Sequence, residues 1–201
     1  MVLAYKFRSS AQIARAFDII FERRLHCADW TTFNDPREGF FQYTVGDNQK
    51  ANAIRTAKRR FRICCLSKTY SSRLLWAHYA AGFDGLAIEV SISDPSDYGP
   101  VYDVTYEQAL PHVDLHPGDF DAQALSFLRR KDSEWCYEDE VRIIQDDVWY
   151  QLQSPVQRII VGHRFDKSLL QALRIVCQNK NITLQRTTIE DREVVAADFA
   201  H

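Results

Sequence analysis

The stretch Trp135-Cys136-Tyr137-Glu138-Asp139-Glu140-Val141-Arg142-Ile143-Ile144 sets two aromatic rings ahead of Glu-x-Glu-x-Arg and a β-branched tail. Val141, Ile143 and Ile144 favour extended backbone, because branched side chains pack well on a pleated surface. On a strand, positions i, i+2 and i+4 share a face. The pattern therefore predicts Glu138, Glu140 and Arg142 on one face, with Val141 and Ile143 on the other. Two carboxylates about 7 Å apart along a strand, beside a guanidinium, can carry acid–base work. The same residues also suit a solvated strand face whose charges pair with one another, an arrangement worth little energy.

Outward from this strand, further extended segments are expected at residues 2–8, 61–66, 86–90, 98–106, 148–152, 156–161, 182–188 and 194–199. Ser9 or Ser10 caps a helix whose apolar positions Ile13, Phe17, Ile20 and Phe21 recur at helical spacing, ending near Arg24. A basic helix is expected over about 48–60. A short helix, capped by Ser71 or Ser72, carries Leu74, Leu75, Trp76, His78 and Tyr79 and stops at Gly82 and Gly85. Two more helices cover about 121–132 and 166–178. Pro36 keeps residues 30–38 a structured loop, and residues 107–121 form the longest loop. The expected architecture is one α+β domain, residues 1–201, of short mixed or antiparallel strands with helices between them.

A chain of 201 residues can bury one sizeable core. Its net charge of −2 provides no global field for nucleic acid or an anionic membrane. Locally, Lys50, Arg55, Lys58, Arg59, Arg60 and Arg62 fall within residues 50–62 without an acid among them. That block suits a phosphate backbone, or equally the wet face of a helix. No apolar run reaches the roughly 20 residues a membrane helix needs, and the first residues lack a secretory pattern. Five cysteines without a C-x-x-C pair indicate reduced thiols in a cytoplasmic protein, with neither a disulfide framework nor a zinc site. His112 and His116 are bracketed by Pro111 and Pro117, so they read as loop residues, not a helical metal pair.

Three other polar-aromatic clusters stand out. Tyr5-Lys6-Phe7-Arg8-Ser9 places both cations on one strand face, as functional groups or as edge gatekeepers. Thr32-Phe33-Asn34-Asp35-Pro36 can pin a turn or face a site. Trp76-Ala77-His78-Tyr79 packs a short helix and offers a histidine. In chain order these give Y-K-F-R-S, F-N-D-P-x-E, C-x-S, W-x-H-Y-A, G-x-A-I-E and K-x-x-x-W-x-Y-E-x-E-x-R. The series resembles a bacterial family known only as a domain of unknown function, whose members are short cytoplasmic proteins. The match runs from Tyr5 to Arg142 and more loosely to Gly162. Leu75-Trp76-Ala77 replaces the family's frequent Met-Trp-Ser, and Cys65-Leu66-Ser67 its Cys-Phe-Ser.

The order of the chemistry is also similar to that of ADP-ribosyltransferases. That resemblance implies NAD as co-substrate and Glu140 as the catalytic carboxylate, with Glu138 orienting the acceptor. It implies Arg8 on the dinucleotide, Tyr79 or Tyr5 stacking, and Ser67 and His78 completing the cleft. Asn34 and Arg142 join the cofactor-binding set, and the acceptor would be a protein or nucleic acid, as for a toxin or defence effector. No G-x-G-x-x-G or P-loop pattern is present. Two other readings stay open: a metal-dependent nuclease or phosphodiesterase using Asp35, Glu89, Glu138 and Glu140 with Arg142 facing phosphate, and a non-catalytic binding module.

Overall fold

The computed structural model describes residues 1–44, 46–96, 99–109 and 117–199. In chain order the elements are β1 (Val2–Ser9), α1 (Ile13–Glu22), β2 (Arg24–His26), β3 (Ala28–Asp29), α2 (Asn48–Lys58), β4 (Arg62–Ser67), α3 (Arg73–Tyr79), β5 (Gly85–Ile92) and β6 (Val101–Asp103). They continue with β7 (Thr105–Glu107), α4 (Phe120–Leu128), β8 (Arg130–Asp132), β9 (Glu140–Gln145), β10 (Trp149–Gln151), β11 (Arg158–Val161), α5 (Lys167–Lys180), β12 (Thr183–Glu190) and β13 (Glu193–Ala197). The α+β architecture expected from the pattern is present. His112 and His116, expected in a loop, lie outside the described residues.

One mixed sheet runs β13-β12-β11-β5-β1-β4-β9-β6, and β3 pairs the open side of β4. Most neighbours are antiparallel; β11 and β12 are parallel and joined through α5, the crossover that a parallel pair requires. Two ribbons stand off the sheet, β10 on β2 and β7 on β8.

Alternation sorts the strand residues onto two faces. Ala4, Leu66, Ile88, Val141, Ile143 and Ile159 pack beneath α1 and α5, which supply Ala16, Ile19, Ile20, Leu173 and Cys177. Burying each of Val141, Ile143 and Ile159 contributes about 1.5–3 kcal/mol. The other face is covered in two separate patches. Leu75, Trp76 and Ala80 of the α3 segment close on Tyr5, Phe7 and Ala87. The α2–α4 pair packs around Ile54 and Phe127, and Leu128 meets Ile63 and Ile144. The close approach of the α3 segment depends on Gly85, where an added Cβ would lie 2.8 Å from Ala80 Cα and would also clash with the Arg8 carbonyl.

The central feature is a fork. β1 and β4 pair only at Tyr5↔Ser67, while β1 continues along β5 for its whole length and β4 continues along β9. Beyond that bridge the two strands part, and β3 takes the vacated edge at Ala28↔Ile63 and Asp29↔Arg62.

The structure corrects three boundaries. The helix expected over 121–132 ends at Leu128, and Arg130–Asp132 is the short strand β8. The extended segment expected over 98–106 divides into β6 and β7. Most consequentially, Ser133–Glu138 is a 3₁₀ turn, and β9 starts at Glu140. The Asp132 carboxylate accepts the Glu134 N–H and caps the turn, and Asp139 sits in the left-handed region at φ 42°. Those two residues reset the backbone, so the pleat does not govern Glu138.

Candidate active site

A cleft of ≈ 330 Å³ occupies the fork, at the lower end of the range for small-molecule sites. Its walls come from Lys6, Phe7 and Arg8 of β1, from Ile63, Cys65 and Ser67 of β4, and from His26 and Ala28 near β3. Among the described residues, Glu138 and Glu140 are its only carboxylates; both sit at one end with Lys131.

The acidic end is assembled from elements far apart in the chain. Lys131 on β8 donates to Glu138 Oε2 at 2.6 Å and lies 3.2 Å from Glu140 Oε2. Arg142, two residues along β9, donates Nε–H to Glu140 Oε1 at 2.8 Å and grips Glu38 with both terminal nitrogens at 2.6 and 2.9 Å. Its remaining donors reach the Leu128 carbonyl and Glu140 Oε2. Tyr79 on α3 donates to Glu138 Oε1 at 2.6 Å and accepts from Asn34 Nδ2 at 3.1 Å. Tyr106, on the strand beside Lys131, accepts the Glu140 N–H at 2.8 Å.

Counting Glu38, Glu138 and Glu140 against Lys131 and Arg142 leaves three acids, two bases and one formal negative charge. Burial opposes ionisation of Glu140, yet Arg142 and Lys131 outweigh it and hold the carboxyl down to about 2. Burial likewise opposes the Lys131 charge, but Glu140 and Glu138 raise its ammonium well above the usual range. Glu38 is raised, with burial prevailing over Arg142. Burial and the bond to Glu138 push the Tyr79 phenol up, so it stays a donor.

The other end is basic. Arg8 is half-buried with its Nε enclosed; among the described residues it forms no ion pair, leaves Nε–H without an acceptor and makes only a 3.3 Å contact from Nη1 to the Phe7 carbonyl. Burial lowers its pKa. Lys6 donates to the Cys65 carbonyl across the fork at 2.6 Å. Arg15 and His26 also face the cleft. Burial first, then Arg15, Arg8 and Lys6, depress the His26 pKa, which marks this end as electropositive. Unpaired buried donors of this kind are costly unless a ligand satisfies them.

Seven of the nine expected site residues line the cleft: Glu138, Glu140, Tyr5, Arg8, Ser67, Tyr79 and Asn34. Two of these have their polar atoms engaged elsewhere. Ser67 Oγ lies 2.8 Å from the Thr69 carbonyl and 2.5 Å from the Glu138 carbonyl, so it pins the turn that carries Glu138. The Tyr5 hydroxyl donates to Glu89 and accepts from Arg158. Two expected residues are not on the wall. His78 is exposed on the outer surface of α3, with its ring 6.2 Å from Tyr137, because the buried stripe of that helix runs through Leu75, Trp76 and Ala80. Arg142 is fully buried with all five donors spent, which makes it the scaffold of Glu140 and removes it from phosphate binding.

Sequence reasoning gave no role to Lys131 or Glu38. Lys131 opens the K-x-x-x-W segment and stands seven residues before Glu138, so its type and place were visible while its strand was not. The four acids of the metal-dependent reading do not gather. Glu89 is three strands from Glu140, about 14 Å, and is bound by Arg158 at 2.5 Å. Asp35 is buried in its turn, accepting the Arg37 N–H. Among the described residues, no three His, Cys, Asp or Glu side chains are placed to hold a metal ion.

The basic block is dispersed. Lys58 points inward to the Gly39 carbonyl and over the Trp30 ring, and burial lowers it to about 8. Lys50, Arg60 and Arg62 are paired with Asp47, Asp121 and Asp29. No helix among the described residues is long and apolar enough to cross a membrane.

No protein-family model matches the chain, and neither does any curated protein or solved structure.

Proposed function

We propose that the forked cleft is the active site of an ADP-ribosyltransferase-like enzyme that cleaves the nicotinamide–ribose bond of NAD. The observation that carries this reading is the cleft's polarity: a net-negative carboxylate cluster at one end and, at the other, a half-buried Arg8 with no ion pair among the described residues. NAD has matching chemistry, a cationic pyridinium at one end of a ribose and phosphates at the other. The phosphates would engage Arg8, Lys6 and Arg15 through charge-assisted hydrogen bonds. The cleft's volume suits the nicotinamide–ribose–phosphate half, leaving the adenosine across the mouth.

In the reaction, the ribose C1′–N bond breaks and its electron pair returns to the pyridinium nitrogen, releasing neutral nicotinamide. The ribose carries the developing positive charge, which a fixed carboxylate stabilises without reorganising. An acceptor nucleophile on a protein or nucleic acid then bonds to C1′ and releases its proton to solvent.

The geometry favours Glu138 as that carboxylate and gives Glu140 the supporting role, reversing the order expected from sequence. Glu140 is committed to Arg142 through two nitrogens. Glu138 spends one oxygen on Lys131 and the other on a neutral phenol, Tyr79, which a ribose hydroxyl can replace.

The test is nicotinamide release from NAD by the purified protein and by the Glu138→Gln and Glu140→Gln variants. Release should fall at least about 100-fold in folded Glu138→Gln. Undiminished release in that variant removes Glu138 from the role; no release and no NAD binding by the wild type removes the reading.

A further inference from the structure

We propose that Lys131 is the positioning residue of the reacting carboxylate: it holds one oxygen of Glu138 so that the other faces the cleft, and its charge keeps the cluster ionised. This rests on the reading of Glu138 given above, but its central observable does not require turnover.

The argument begins with where Lys131 comes from. Among the described residues β8 pairs only with β7, in the register Tyr106↔Lys131. The ribbon thus delivers two side chains together to the start of β9: Tyr106 takes the Glu140 N–H, and Lys131 reaches both carboxylates. Lys131 is buried, and its ammonium also lies 4.9 Å from the Trp135 ring centre, so hydrogen bonds, charge and packing all fix the head group. An ammonium is a compact point charge that can serve two acceptors, as it does here.

The groups facing Glu138 come from every side. They are Tyr79 on α3 with Asn34 behind it, Lys131 on β8, Tyr137 on the same 3₁₀ turn, and Glu140 and Arg142 on β9. Tyr106 and Cys65 stand by Glu140, and Glu38 lies behind Arg142. Among these, Lys131 is the only cation that touches Glu138. Removing it leaves three buried carboxylates against one guanidinium. Like charges at such spacing do not all stay ionised, so the cluster takes up a proton. A protonated acid cannot stabilise an oxocarbenium-like state, and activity would return only as that proton is lost at higher pH.

The experiment compares wild type, Lys131→Met and Lys131→Arg by infrared spectroscopy of the carboxyl groups and by the pH profile of nicotinamide release. Lys131→Met should show a protonated-carboxyl band at neutral pH that the wild type lacks. The acid limb of its profile should move up by at least one pH unit, and Lys131→Arg should reverse both changes in part. A structural role alone predicts an equal loss at every pH and no new band; that result overturns the proposal. Should Lys131→Met fail to fold, Lys131→Met combined with Glu138→Gln restores the charge balance and should fold. Failure of the double variant too would mark Lys131 as a packing residue. If wild type releases no nicotinamide, the transferase reading fails while the infrared band still judges Lys131.

Discussion

At the Glu138 end of the cleft every charge has a protein partner, whereas at the Arg8 end a half-buried guanidinium has no partner of opposite charge among the described residues. The two ends lie on the walls of one fork, so the contrast is not one of depth or exposure alone. Folding completes the acidic end. The basic end is left with unmet hydrogen-bonding demand that a ligand anion would satisfy. Stability should therefore reside at the first end and affinity at the second, and substitutions can separate the two.

The largest effect is expected from Arg142→Met. It removes a guanidinium whose five donors hold Glu38, Glu140 and the Leu128 carbonyl, and leaves two buried carboxylates exposed to each other. Breaking a buried pair by deleting one partner costs about 3–5 kcal/mol. Denaturant unfolding should show a loss of that size; a loss below about 1 kcal/mol would mean the network is not what holds β9 to the α2–α4 layer.

Acid should act next, and again through the acidic end. Glu140 is depressed in the fold to about 2, against about 4.5 in the unfolded chain. A depressed carboxyl contributes stability that is present above its unfolded pKa and is lost as pH falls through the folded one. Stability should therefore decline between about pH 5 and pH 2. Glu38 is raised, so its contribution has the opposite sign and lessens the slope. Glu140→Gln should flatten the decline, as read from unfolding midpoints across that range; an unchanged slope would assign acid sensitivity to other carboxylates.

How much of this could be read from residue order follows the same division. The β9 tail was legible because Val141, Ile143 and Ile144 carry their own β preference, and the helices of Ile13–Glu22 and Lys167–Lys180 because their apolar spacing is local. Glu138 was placed on the wrong kind of backbone, since an Asp132 cap and a left-handed Asp139 interrupt an otherwise strand-like run. Arg142 was read as a ligand group because its true partner, Glu38, lies 104 residues away. His78 looked catalytic by type, but the helix phase turns it outward. Lys131 was visible as a residue and invisible as a neighbour, because its ribbon forms only through tertiary pairing. The fork itself has no signature along the chain: a single bridge at Tyr5↔Ser67 is a matter of register.

The smallest expected change in stability, and the most direct trial of the contrast between the two ends, belongs to Arg8→Gln. Its guanidinium gives little to the fold, so the unfolding free energy should stay within about 0.5 kcal/mol of wild type or rise. Calorimetric titration with NAD, and with pyrophosphate as the anionic half alone, should show affinity reduced about tenfold or more for both, since each charge-assisted hydrogen bond is worth about 1.5–3 kcal/mol. Lost binding with retained stability is the predicted result. Binding equal to wild type, or destabilisation as large as that of Arg142→Met, would contradict the claim that the fork is completed by an anionic ligand.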